Sequence, residues 1–166
     1  MMEPRRAADS YVEATHLVLP GDANVHGSIF GGHVAAWLDL ACAVAAMRHC
    51  RKPVVTASMD DLHFHAPIKV GHFAIVQAQV NAVFRTSMEV GAFIWSEDPY
   101  TGERRHTSTA FLTFVSLDEQ GKPTVLPPLL LETEEERARE AEAKLRRENR
   151  LMRKKTQPKP TPLTRR

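Results

Sequence analysis

The stretch "NVHGSIFGGHVAAWLDLACAVAAM", Asn24 to Met47, restricts the fold more than any other part of the chain. A glycine pair, Gly31 and Gly32, opens a run with helical spacing that is apolar on nearly every face. A surface helix shows one apolar stripe; a helix that is apolar all round is built to be covered. A chain of 166 residues can bury one such helix in one domain and is too short for two ordinary domains. One carboxylate, Asp39, interrupts the run. Its neighbours three and four positions away are Ala35, Ala36, Cys42 and Ala43, all small. Two readings follow. The small residues let the helix press against a sheet while a neighbouring donor satisfies Asp39. Or they form a slot for a ligand and Asp39 is the reactive group, because a buried charge without a partner is too costly to persist idly.

The remaining segments supply the cover. "YVEATHLVLP" reads as a first strand, stopped by Pro20-Gly21. After a helix over residues 31–49, strand-like alternation runs through Val54 to Phe64, His72 to Val83, Ser87 to Glu97 and Arg104 to Leu117. "APIKVG", "FRT", "DPYTG" and "DEQGKP" carry turn signals around and between them. The apolar phase slips between Met59 and Leu62, across Asp60-Asp61, which predicts a β-bulge. One strand, a long helix and four strands on short links give an α+β fold, an antiparallel sheet against one helix.

Composition changes after Pro128. "ETEEERAREAEAKLRREN", from Glu132 to Asn149, forms a helix with few large apolar side chains, and Glu135–Arg139 and Glu140–Lys144 are i,i+4 acid-to-base pairs. It is expected to be a solvated appendage whose removal leaves the domain intact. The basic, proline-rich end "RKKTQPKPTPLTRR" is expected to be disordered. The predicted organisation is an N-terminal extension over residues 1–11, the domain over 12–131, and a charged helical then disordered tail over 132–166.

Charge and cysteines narrow the setting. A net charge of +2 gives no argument for a nucleic-acid partner. Cys42 and Cys50 lie along one helix, whose rigid spacing disfavours a bridge and suits a reducing compartment. No signal-peptide core and no membrane-length apolar run is visible, so a soluble, cytoplasmic protein with no membrane partner is expected.

The chemistry concentrates where the helix begins. Gly31 and Gly32 leave the backbone uncovered at a helix N-terminus, where free N–H groups and the positive dipole end can hold a developing oxyanion. Asn24 and His26 lie just upstream. Ser28 is not in a nucleophile elbow, because His26 stands where the first glycine should be. His63 and His65 share a strand face but have no supporting metal-ligand context. No phosphate-loop or dinucleotide fingerprint occurs. Neither a metal nor a redox cofactor is expected.

"LPGDANVHGSIFGGHVAAWLDLACAVAA", then "VTASMDDLHFHAPIKVGHFAIVQAQV", "RTSMEVGAFIW" and "TSTAFLTFVSLDEQGKPTVLP" together resemble the hotdog-fold acyl-CoA thioesterases, over about residues 12–128. The resemblance implies a curved antiparallel sheet wrapped around one long helix. It implies homodimers that pair their sheets edge to edge, with a trimer of dimers as the higher assembly. It implies hydrolysis of acyl-CoA to a fatty acid and coenzyme A, coenzyme A being part of substrate and product and no cofactor. Asp39 matches the family's catalytic acid, as general base or as nucleophile. Asn24 matches a loop asparagine supplied by the other subunit. The N–H of Gly32, helped by His33, matches the oxyanion position, and Arg85, Thr86 and Ser87 match the coenzyme A contact. The chain departs from the pattern at Phe84, where a glycine is common. Trp37, Met59 and Phe64 are candidates for lining the acyl chain. The alternatives are a hotdog hydratase, whose Asp-His motif is not found, and a non-catalytic acyl-CoA-binding regulator, which would need neither Asn24 nor Asp39.

Overall fold

The computed structural model describes residues 2–164. Met1 of the N-terminal extension, and Arg165 and Arg166 at the end of the basic tail, lie outside the described residues. The elements in order are β1 (Arg5–Arg6), β2 (Val12–Leu17), α1 (Gly31–Cys50), β3 (Val54–Phe64), β4 (Phe73–Val83), β5 (Ser87–Glu97), β6 (Arg104–Ser116), β7 (Leu129–Leu130) and α2 (Glu134–Thr156), with 3₁₀ turns at Ala7–Ser10 and Pro20–Asp22. β2, β4, β5, β6 and β3 form one sheet in that spatial order, antiparallel throughout. β1 and β7 make a separate parallel pair that ties the N-terminus to the segment before α2.

Alternation along the strands decides which side chains meet α1. Ala74, Val76, Ala78 and Val80 of β4, Val90 and Ile94 of β5, and Leu112 and Phe114 of β6 form one core with Val34, Leu38, Cys42, Ala45 and Ala46 of α1. α1 stops at Arg51, which takes a left-handed conformation (φ 54°) and donates its N–H to the Met47 carbonyl at 2.7 Å. This closes the last turn before Pro53. The predicted bulge is present: the β3–β6 register shifts between Asp60 and His63, and Asp61 takes φ 53°.

Two expectations are corrected. First, α1 is not covered on all sides. Ala36, Leu40, Val44 and Met47 are exposed on one face, with Leu40 64% exposed. The sheet wraps only part of the helix, and this face stands beside β3, an edge strand with an open side. Second, α2 is not a solvated appendage. It begins with a reciprocal capping box between Thr133 and Glu136, runs to Thr156, and lies on the sheet face opposite α1. Ala143 is fully buried there.

Ion pairs and polar contacts hold α2 to that face. Arg146 donates from Nε and Nη2 to both oxygens of Glu89, at 3.1 and 2.8 Å, and its guanidinium lies 3.6 Å from the centre of the Phe111 ring. Glu89 is buried and also accepts from Asn81 Nδ2 at 3.1 Å. Gly91 makes room for this arrangement: a Cβ there would sit 2.5 Å from Asn81 Nδ2. Arg150 pairs with Asp60 at 2.9 Å, and Arg147 covers the Phe84 ring. Phe84, the departure from the family pattern, is thus a landing point for α2. No helix among the described residues is long and apolar enough to cross a membrane.

Candidate active site

The loop before α1 is shaped by Asn24. Its Oδ1 accepts from the N–H of His26 at 2.9 Å and of Ser28 at 3.4 Å, while its Nδ2 donates to Ser28 Oγ at 3.2 Å. The side chain mimics a backbone turn, and Gly27 (φ 75°) completes it. Asn24 lines a cavity of about 370 Å³ with Gly31, Val34, Phe64, His65 and Pro67. Phe64 is 55% exposed at the far end of β3, so this cavity opens at that end of the strand.

No side chain caps α1 at its N-cap residue, Phe30. The first-turn amides of a helix have no intrahelical acceptor, so the N–H of Gly32 is available to a ligand. A Cβ on residue 32 would sit 2.5 Å from the Phe30 ring. His33 is fixed by Asp22, Nδ1 to Oδ1 at 3.2 Å, and stands edge-on to Trp37. Trp37 stacks flat on His16, centroids 4.2 Å apart, which identifies it as packing at the helix surface. Burial lowers the His16 pKa, so that ring is neutral under the indole at neutral pH.

Asp39 is half-buried, and its Oδ1 accepts from Thr56 Oγ1 at 2.7 Å. Thr56 is the donor that the sequence left unnamed: a β-branched residue in a strand reads as ordinary strand filling. The signal available was its inward phase on β3, level with a helix carrying one acid. Asp39 keeps its second oxygen for another partner. Cys42, one turn further along α1, is no nucleophile. Burial, and then the Asp39 charge, push its thiol far above the usual range.

Arg85, Thr86 and Ser87 form the β4–β5 turn, where Phe84 N–H donates to Ser87 O at 2.8 Å. The carbonyls of Thr86 and Arg85 accept from Ser116 and Leu126, which fixes the turn while the Arg85 side chain is exposed. Through the registers Ser87–Val115 and Val55–Val115, this turn lies level with the Thr56 end of β3, two strands away. At ~4.8 Å per strand the separation is about 10 Å.

The single chain therefore gathers two groups. Asp39, Thr56 and the Arg85–Ser87 turn occupy one end of the sheet. Asn24 and Gly32 lie at the other, with Asn24 facing a cavity that Asp39 does not line. His63 on β3 and His65 just past its end are exposed, centroids 6.3 Å apart, with His106 5.5 Å from His65.

Comparison with known proteins addresses the family. The Thioesterase superfamily profile matches residues 26–103. An uncharacterized acyl-CoA thioester hydrolase of Bacillus subtilis, YkhA, is 42% identical over 134 residues, 81% of this chain and 78% of that protein. A crystal structure of an apo-hexameric acyl-CoA thioesterase superimposes with a TM-score of 0.90 at 40% identity, covering 94% of this chain and 100% of that one. The Staphylococcus aureus acyl-CoA hydrolase, solved with butyryl coenzyme A and coenzyme A, gives a TM-score of 0.85 at 34% identity over 90% of this chain and 92% of that one. Alanine variants of one aspartate, one asparagine and one threonine of that protein have also been solved. A five-stranded antiparallel sheet around one long helix, with relatives of this kind at these coverages, makes the chain a hotdog-fold member of the acyl-CoA thioester hydrolases, and a thioesterase.

Proposed function

We propose that the chain hydrolyses acyl-CoA to a free fatty acid and coenzyme A at a site built from two copies. The observation that carries this is the Asp39 carboxylate held by Thr56 at one end of β3, while Asn24 and Gly32 stand at the other. β3 has an open side, and an unpaired edge is a template for another strand. Antiparallel pairing of two β3 edges sets the Phe64 end of one copy against the Thr56 end of the other. That brings Asn24 and Gly32 of one chain to Asp39 and Thr56 of its partner. The exposed Leu40, Val44 and Met47 face of α1 is covered in the same step. The Staphylococcus aureus variants support the reading: their asparagine, aspartate and threonine are separated along that chain by the same intervals as Asn24, Asp39 and Thr56 here. Hexameric relatives support an assembly of three such pairs.

Each group then has one task. Thr56 donates to one oxygen of Asp39 and aims the other at a water, which Asn24 orients. Asp39 takes the proton as the water oxygen bonds to the thioester carbon. The Gly32 N–H, with His33 at its flank, holds the negative oxygen of the tetrahedral adduct. Collapse of the adduct breaks the C–S bond, and the proton on Asp39 passes to the departing thiolate. Arg85 meets the phosphates of coenzyme A, with Thr86 and Ser87 beside it. Coenzyme A arrives and leaves within substrate and product, so the reaction needs no cofactor.

Complementation tests the two-chain site. Asn24→Ala and Asp39→Ala chains are each expected to lose about 10²- to 10⁴-fold in turnover. Unfolded and refolded together, half the dimers are mixed and each mixed dimer holds one intact site. Activity should return to about a quarter of wild type. No recovery from mixed dimers proven by mass spectrometry would mean that each site is built within one chain.

A further inference from the structure

The last turns of α2 extend beyond the contacts that hold it to its own sheet. Arg139 reaches Gln79 on β4, Arg146 reaches Glu89 on β5 and Phe111 on β6, and Arg150 reaches Asp60 on β3. α2 therefore crosses the outer face strand by strand, ending on the open edge. From Arg139 to Arg150 the helix advances about 16 Å, against about 14 Å for the three strand spacings from β4 to β3. By Arg150 it has run out of sheet. It nevertheless continues to Thr156, about 9 Å further. Every residue from Leu151 to Thr164 is exposed, Met152 64% so. Beneath this overhang lies a groove of about 520 Å³ between Met59, Asp60 and Asp61 on β3 and Arg153, Lys154 and Lys159.

We propose that the overhang is a clasp for a second copy of this chain. The proposal rests on the edge-to-edge pairing above. If Thr56 of one copy faces Phe64 of the other, the two-fold axis passes β3 midway between them, at Asp60. The end of α2 leaves its own sheet at that point, so it lies on the outer face of the second copy. Charge specifies the contact. Asp60 is taken by Arg150 of its own chain. Asp61 is exposed beside it, turned out by the bulge, and among the described residues neither Asp61 nor Arg153 nor Lys154 makes an ion pair. Two-fold symmetry sets Arg153 and Lys154 of each copy over Asp61 of the other, so the attraction is made twice. Leu151 and Met152 are carried to the same junction.

The test uses full-length chains. Asp61→Asn, a residue that tolerates the left-handed conformation, and the exposed double change Arg153→Glu/Lys154→Glu should each keep the wild-type melting curve at high protein concentration. Each should raise the dissociation constant of the pair, measured by sedimentation at low salt, by roughly tenfold for Asp61→Asn and more for the reversal. In a mixed pair of an Asp61→Lys chain with an Arg153→Glu/Lys154→Glu chain both contacts attract, one with its native sign and one reversed, whereas each unmixed pair has two repulsive contacts. Native mass spectrometry should then show mixed pairs beyond statistical proportion. Unchanged dissociation constants with statistical mixing overturn the clasp and leave the edge pairing standing. A wild-type chain that stays monomeric at micromolar concentration overturns both.

Discussion

The two helices of this protein bind the two faces of one sheet by different means. α1 presents Val34, Leu38, Cys42 and Ala45 to an apolar core and has no side-chain cap. α2 presents Glu136, Arg139, Ala143, Arg146 and Arg150, and is capped, charged and held by ion pairs. Burial of α1 is non-directional and tolerates an edge left open for a partner. The attachment of α2 is directional: Arg146 must reach Glu89, which in turn needs Asn81 and the missing side chain of Gly91. The apolar attachment drives collapse, and the polar one sets the position of what lies on top.

Substitutions sharpen that contrast. The largest effect is expected in the apolar face. Leu38, fully buried, should cost about 2–5 kcal/mol as Leu38→Ala, read by urea or thermal unfolding. Arg146→Met should cost about 3 kcal/mol, because it strands the buried Glu89 carboxylate. Adding Glu89→Gln should recover most of that loss, since the new amide oxygen still accepts from Asn81. No recovery in the double variant would mean that the pair holds α2 by charge and not merely by avoiding an orphaned carboxylate. Thr133→Ala removes the cap and should cost about 1 kcal/mol, with the loss confined to α2 by hydrogen exchange.

The smallest expected effect is one of pH. His49, at the end of α1, is buried and donates Nε2–H to the Pro127 carbonyl at 2.9 Å, while its Nδ1 has no partner among the described residues. Burial lowers its pKa, with the Pro127 contact opposing and Arg5 assisting. The unfolded chain therefore binds a proton at higher pH than the folded one. Stability is full above the unfolded value near 6.5 and is lost as pH falls below it. His49→Gln should flatten the melting temperature between pH 7.5 and 5 relative to wild type. Parallel profiles would remove His49 as the cause.

What the sequence made legible follows the same division. Strand limits, the extent of α1 and the bulge at Asp60-Asp61 came from apolar phase, which is a direct trace of burial. Asp39 was conspicuous because its surroundings are apolar. The seat of α2 was invisible to that signal. The sheet-facing positions, residues 136, 139, 143, 146 and 150, do recur at helical spacing, but with arginines and acids where periodicity looks for apolar side chains. Thr56 was missed because its role depends on Asp39, which the helix brings beside it from a distant part of the sequence. The open face of α1 read as buried because apolar residues on every side of the helix give no sign of which side the chain's own sheet covers.

The parallel pair of β1 and β7 has a consequence for the order in which the molecule is made. Arg5 and Arg6 pair with Leu129 and Leu130, and Arg6 also meets Glu132 at 2.8 Å, just ahead of the Thr133 cap. These contacts join two segments that lie far apart along the chain. Such a closure spans nearly the whole domain and carries a large loop entropy, so it forms after the local hairpins of the sheet. The start of α2 is seated by it. While it is being made, the domain is thus a sheet around α1 with β1 loose until synthesis has passed residue 130, and α2 is seated after the sheet.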